Sequence, residues 1–232
     1  MNPDVIRLIL SELTWQASSK VDAHLALLYL DYVPEEYFAD IRAWANSAKL
    51  NLHEESREPT PYAALEWIVP TAIAIYIGKP FVDAFLKRAA DDVADALYPK
   101  LKSHVLTLVR KALVRDRSNY KVVSSSPNKT SNPISIIFSI LAQNKAGDRV
   151  KFVFHKELEP EQYDTCVRGI FSLLEAHFKS EDDSDDLTTE CSKMDSRHGT
   201  FYMTYDTEAS SWVVADPVAE AFKKQQPGND AV

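Results

Sequence analysis

The spacing of apolar and polar positions changes along this chain, and each change marks a different kind of element. The first 60 residues are mixed. Val5 to Leu13 is rich in Ile and Leu and fits a strand or a short helix, while Val21 to Leu30 is apolar nearly all round, so periodicity does not assign it. Pro34-Glu-Glu-Tyr-Phe predicts a helix start, because proline is tolerated in a first turn and acidic groups suit the positive end of the helix dipole. Tyr37, Phe38, Ile41 and Trp44 come next at helical spacing. Leu50-Asn-Leu-His-Glu predicts a short strand. Thr60-Pro61 then reads as a helix N-cap and first position, with Pro70 kinking or interrupting that helix.

Trp67 to Gly78 is an apolar run of 12 residues bracketed by Glu66 and Lys79. A membrane-spanning helix needs about 20 apolar residues, so a buried core helix is the expectation. Lys79-Pro80 restarts the helix. From there Val82, Leu86, Ala89, Val93, Leu97, Leu101, Val105, Leu108 and Ala112 recur at steps of three or four, which keeps one face apolar. Pro99 lies inside this stripe without shifting its phase, which predicts a kinked helix or two abutting helices.

Residues 118–132 are rich in Ser, Asn and Pro and read as a linker. Beyond them the period shortens. Ile134-Ser-Ile-Ile-Phe-Ser-Ile-Leu and Val150-Lys-Phe-Val-Phe read as strands joined by the glycine-containing loop Asn144–Asp148. Pro160 opens a helix with Tyr163, Val167, Ile170, Phe171, Leu174 and Phe178 on one face, and two further strands flank the turn at 206–210. The expected fold is α+β: an N-terminal α/β unit with long central helices over 1–117, a linker at 118–132, a β-β-α-β-β module over 133–222 and a frayed tail at 223–232. No internal repeat or sustained heptad pattern is visible.

Composition narrows the function. The chain of 232 residues carries 26 basic and 34 acidic side chains, a net charge of −8. Phosphate neutralisation calls for the opposite sign, which argues against nucleic acid as the partner. The charge is unevenly placed: residues 1–60 hold 10 acidic and 5 basic groups, residues 61–117 hold 6 and 9, and residues 118–232 hold 18 and 12. Two cysteines, Cys166 and Cys191, make neither a disulfide framework nor a thiolate zinc site, and the N-terminus shows no signal-peptide pattern, so a cytoplasmic protein is expected.

Two groups of residues are candidates for interaction. Glu66, Trp67, Lys79 and Asp83 fringe the apolar run, with Lys79 and Asp83 four apart on one helix face. Lys100, Lys102, Arg110, Lys111, Arg115 and Arg117 form a basic stretch near the end of the long helix, where cations complement the dipole. Glu181-Asp-Asp-Ser-Asp-Asp186 lacks the glycine of a calcium loop and reads as solvated. The six histidines form no metal-binding spacing, and five scattered glycines form no phosphate loop, so no metal or cofactor is expected. A Cys–His nucleophile pair such as Cys191 with His198 is conceivable.

Tyr62-Ala-Ala-Leu-Glu-Trp-Ile-Val-Pro-Thr-Ala and Ile77-Gly-Lys-Pro-Phe-Val-Asp-Ala-Phe-Leu-Lys87 resemble a pattern in small uncharacterised bacterial proteins associated with anti-phage or toxin–immunity loci. Related sequences continue with Gly-Lys-Asp where this chain has Arg88-Ala-Ala-Asp-Asp92. The resemblance implies a bacterial origin and supplies no catalytic residue. The expectation is a non-enzymatic protein-interaction component, of accessory or immunity type, whose acidic flanks suit a basic protein partner, with homo-oligomerisation open. The alternatives are an effector that inserts residues 62–88 into a membrane, with the basic stretch on anionic lipid, and an enzyme of unfamiliar type.

Overall fold

The computed structural model describes residues 23–58, 71–86, 92–117, 133–182, 184–197 and 199–216; for 83–86 and 92–96 it describes the backbone alone. Its frame is a seven-stranded mixed sheet in the order β2-β1-β3-β4-β5-β6-β7. The strands are β1 (Leu25–Leu30), β2 (Leu52–Arg57), β3 (Ile73–Ile77), β4 (Ile134–Gln143), β5 (Arg149–His155), β6 (Thr200–Asp206) and β7 (Ser211–Val214). The helices are α1 (Ala39–Ser47, entered through a 3-10 turn at Glu35–Phe38), α2 (Lys79–Leu86), α3 (Asp92–Val109, continued by a π turn at Arg110–Arg115), α4 (Pro160–Lys179) and α5 (Asp186–Cys191).

The apolar run before Gly78 is not a helix over its described part. Ile73–Ile77 is strand β3, paired antiparallel with β1 and parallel with β4 at the middle of the sheet. Its residues alternate: Ile73, Ile75 and Ile77 enter the main core, while Ala74 and Tyr76 point to the other face. Three β-branched side chains at period two fit a pleated surface better than a helix turn. Residues 67–70 lie outside the described part. Gly78 ends the strand where no side chain fits, since a Cβ there would stand 2.2 Å from the Ala23 carbonyl oxygen.

Other expectations hold with shifted limits. Tyr37, Phe38, Ile41 and Trp44 are buried at the start of α1, and the second strand runs Leu52–Arg57 rather than Leu50–Glu54. Leu101, Val105, Leu108 and Ala112 of the predicted stripe are buried, and Pro99 sits within the single helix α3. The polar stretch 179–198 contains α5, which periodicity does not show. Pairing of β3 with β4 joins the strands on either side of residues 118–132 into one sheet.

Register carries one apolar face across six strands, β1 and β3 to β7: Leu25 and Leu27, Ile75 and Ile77, Ile140 and Ala142, Phe152, Met203 and Trp212 lie in one core cluster with α1, α3 and α4 against it. Trp44 of α1 and Phe171 of α4 both touch α3, at His104 and Tyr98, so these helices share one layer. β1 and β5 run in the same direction, yet β1-α1-β2 steps outward to one side and β5-α4-β6 to the other. With both helices on the same face the two crossovers have opposite hands, so one is the left-handed form found in about 2% of such connections.

Candidate functional site

The sequence offers three candidate sites: a nucleophile pair, a basic face and the residues fringing the apolar run. Cys191 lies buried at the end of α5, and burial, followed by the charges of Asp148, Glu190 and Asp185, pushes its thiol up to about 11. Burial pushes Cys166 up to about 12. Reactive cysteines need the opposite, an electropositive setting that favours thiolate. His198 lies outside the described residues. Among those described, no group of three or more His, Cys, Asp and Glu could hold a metal ion.

A histidine that the sequence does not single out has both ring nitrogens hydrogen-bonded. Buried His177, near the end of α4, accepts the Lys145 backbone N–H at Nε2 (2.9 Å), so its proton lies on Nδ1, which donates to Asp185 (2.8 Å). Asp185 caps α5, accepting the Thr188 N–H and hydroxyl at 3.0 and 2.8 Å. Burial alone would raise this carboxyl; the bonds from Thr188 and His177 outweigh it and hold it below the ordinary range. Both ring nitrogens are occupied within the fold, so this pair pins α4, α5 and the β4–β5 loop together.

Two cations of the basic stretch meet acids that lie far from it in sequence. Arg110 bonds to Asp164 of α4, Lys111 stands 3.8 Å from Asp40 of α1 and 5.9 Å over the Tyr37 ring, and Arg115 holds Asp116 through two bonds. The Arg115 guanidinium and the Tyr37 hydroxyl hold Asp116 down at about 2. Lys100 and Arg117 are exposed and Lys102 is half-buried. Two of the six cations, Arg110 and Lys111, therefore tie the π turn to α4 and α1, and Arg115 holds the residue that follows it. Of the other group, Lys79 opens α2 half-buried, whereas Glu66, Trp67 and the side chain of Asp83 lie outside the described part. No described helix is long and apolar enough to cross a membrane.

The face of the sheet away from the main core carries a second polar group. Lys151 is buried on β5, in register with Leu141 and Tyr202, two residues from half-buried Arg149. Desolvation, with the Arg149 charge adding to it, pushes the Lys151 ammonium down to about 8.

The two outer strands differ. β7 has four residues, and its outward Val214 N–H is taken by the Glu190 carboxylate at 3.1 Å. β2 has six, at the opposite end of the described sheet. The Asp31 and Leu25 N–H groups donate to the Arg57 and Asn51 carbonyls, so odd-numbered residues of β2 face β1, and the amides of Leu52, Glu54 and Ser56 point away from the sheet. Glu54 and Ser56 are exposed. Residues 31–58 hold seven acids against three bases, a net of −4. Arg42 grips Glu54 at 2.7 Å and Arg57 grips Glu55 at 2.7 Å, which leaves the surplus at Asp31, Glu35, Glu36 and Glu58, all exposed, with Asp31 beside the C-terminal end of β2. Tyr32, 51% exposed, stands in the same turn. No family model matches the chain, and neither does any curated protein or solved structure.

Proposed function

We propose that this chain is a non-enzymatic protein-interaction component that receives a basic partner at the acidic end of its sheet, formed by β2, the turn after β1 and the start of α1. The observation that carries the reading is the contrast of edges: one outer strand is short and closed by Glu190, the other is longer and presents exposed backbone beside an acidic surplus. Exposed strand edges invite pairing and are ordinarily blunted, so an open one next to unbalanced charge fits a docking surface. The resemblance of residues 62–87 to proteins of anti-phage or toxin–immunity loci supports an accessory or immunity-type setting. The membrane-insertion alternative gains no support from the geometry, since freeing residues 62–88 would withdraw β3 from between β1 and β4.

Photo-crosslinking in the native host tests this. A crosslinker at Glu54 should give one discrete adduct, and the same group at Lys179, exposed at the end of α4, should not. Reversing charge with Glu35→Lys and Glu36→Lys should weaken that adduct. No adduct at Glu54, or the same one from both positions, would sink the proposal.

A further inference from the structure

We infer that the partner docks on β2 by strand addition: an extended segment pairs with the outward amides of Leu52, Glu54 and Ser56 and carries its Lys or Arg residues toward Asp31, Glu35, Glu36 and Glu58. This rests on the docking surface proposed above and names its partner chemistry. Strand addition draws affinity from main-chain hydrogen bonds and specificity from side chains at alternate positions. β2 supplies both. Its outward N–H and C=O groups lie at residues of which two are exposed, and its C-terminal end adjoins the uncompensated carboxylates.

A second copy of this chain is the poorer occupant. Antiparallel pairing of two β2 strands through their outward residues, centred on the strand, sets Glu54 against Glu54 of the other copy, and like charges directly opposed destabilise a ladder. A segment that is itself acidic meets the same repulsion. A neutral strand would pair but would gain nothing from the surplus. The edge therefore selects for a basic extended segment and against self-association.

The test uses the full chain and three synthetic peptides of about eight residues, near the usual strand length. One alternates Thr and Val and ends in lysines, one replaces the lysines with glutamates, and one is the lysine peptide N-methylated at alternate residues. The lysine peptide should slow amide exchange at Leu52, Glu54 and Ser56 and leave His53 and Glu55, already in the ladder with β1, unchanged. Ser56→Pro removes one outward donor without touching that ladder, a substitution edge strands accept. It should weaken binding about tenfold while leaving the melting temperature in place, as expected for a lost hydrogen bond with its pairing geometry.

The glutamate and N-methylated peptides should not bind. Sedimentation should show no self-association that Ser56→Pro abolishes. Equal binding of the N-methylated peptide, or indifference to Ser56→Pro, overturns strand addition; if Glu35→Lys and Glu36→Lys still weaken the crosslinked adduct, the docking surface survives that result. Failure of the lysine peptide to protect these three amides, equal binding of the glutamate peptide, or a β2-mediated dimer also overturns the inference.

Discussion

Two buried polar groups lie on opposite sides of the same sheet and reach opposite settlements with burial. At His177 and Asp185 every polar atom that counts has a partner of complementary character: a backbone donor for Nε2, a carboxylate for Nδ1–H, and a helix N-terminus for the carboxylate. At Lys151 desolvation, with the charge of Arg149 adding to it, pushes the ammonium down to about 8. Burial makes a charge costly, and the groups packed around it decide how much of that cost is offset.

The largest effect expected is from His177→Ala. It removes packing, leaves the Lys145 N–H without its acceptor and strips Asp185 of a donor, a loss of about 3 kcal/mol in a denaturant melt. A loss below about 1 kcal/mol would make the two clusters alike and break the comparison.

Lys151→Met comes next, with the opposite sign. Displacement from 10.5 to about 8 corresponds to a burial cost on the order of 3 kcal/mol below about pH 8. Between pH 8 and 10.5 the unfolded chain binds the extra proton, so native stability rises with pH through that window. The variant should be more stable than the parent at pH 7, and the gap should close toward pH 10.5. A variant less stable at pH 7 would show that hydrogen bonds to the ammonium outweigh its desolvation.

Asp185→Asn sharpens the other side. The Asp185 carboxyl is held low, so its contribution is present above its unfolded value near 4 and is lost as pH falls through the lower folded value. Asparagine can still cap α5, so the expected loss at neutral pH is about 1 kcal/mol, and acid melts of the two proteins should converge. Smallest is Tyr37→Phe, which removes one of the two donors on Asp116. By NMR titration that carboxyl should move up from about 2, with Arg115 keeping it below the ordinary range.

Much of the architecture is legible in the sequence because it rests on period. The α4 face, the buried positions of α1 and the stripe through α3 all come from spacing, and β4 and β5 from runs of branched and aromatic residues. β3 is not legible although Ile-Ala-Ile-Tyr-Ile alternates, because surrounding apolar residues mask the alternation. The sites are harder to read. Nothing local shows that Arg110 meets Asp164, 54 residues away, or that Tyr37 meets Asp116, 79 residues away. The open edge is also a product of topology: Leu52-His-Glu-Glu-Ser-Arg57 looks like any half-polar strand until its place at the end of the sheet is known.

The pairing of β3 with β4 has a consequence for how the molecule is made. β1, β2 and β3 are complete once the chain has been synthesised past Ile77, but β4 begins only at Ile134. During that interval the inner edge of β3, with its three isoleucines, has no neighbour, and parallel pairing at such sequence separation is slow to form. A nascent chain in this state offers a sticky ribbon to whatever is nearby. Ribosome-stalled chains ending near residue 130 should accordingly recruit chaperones or aggregate, and chains extended through β5 should not.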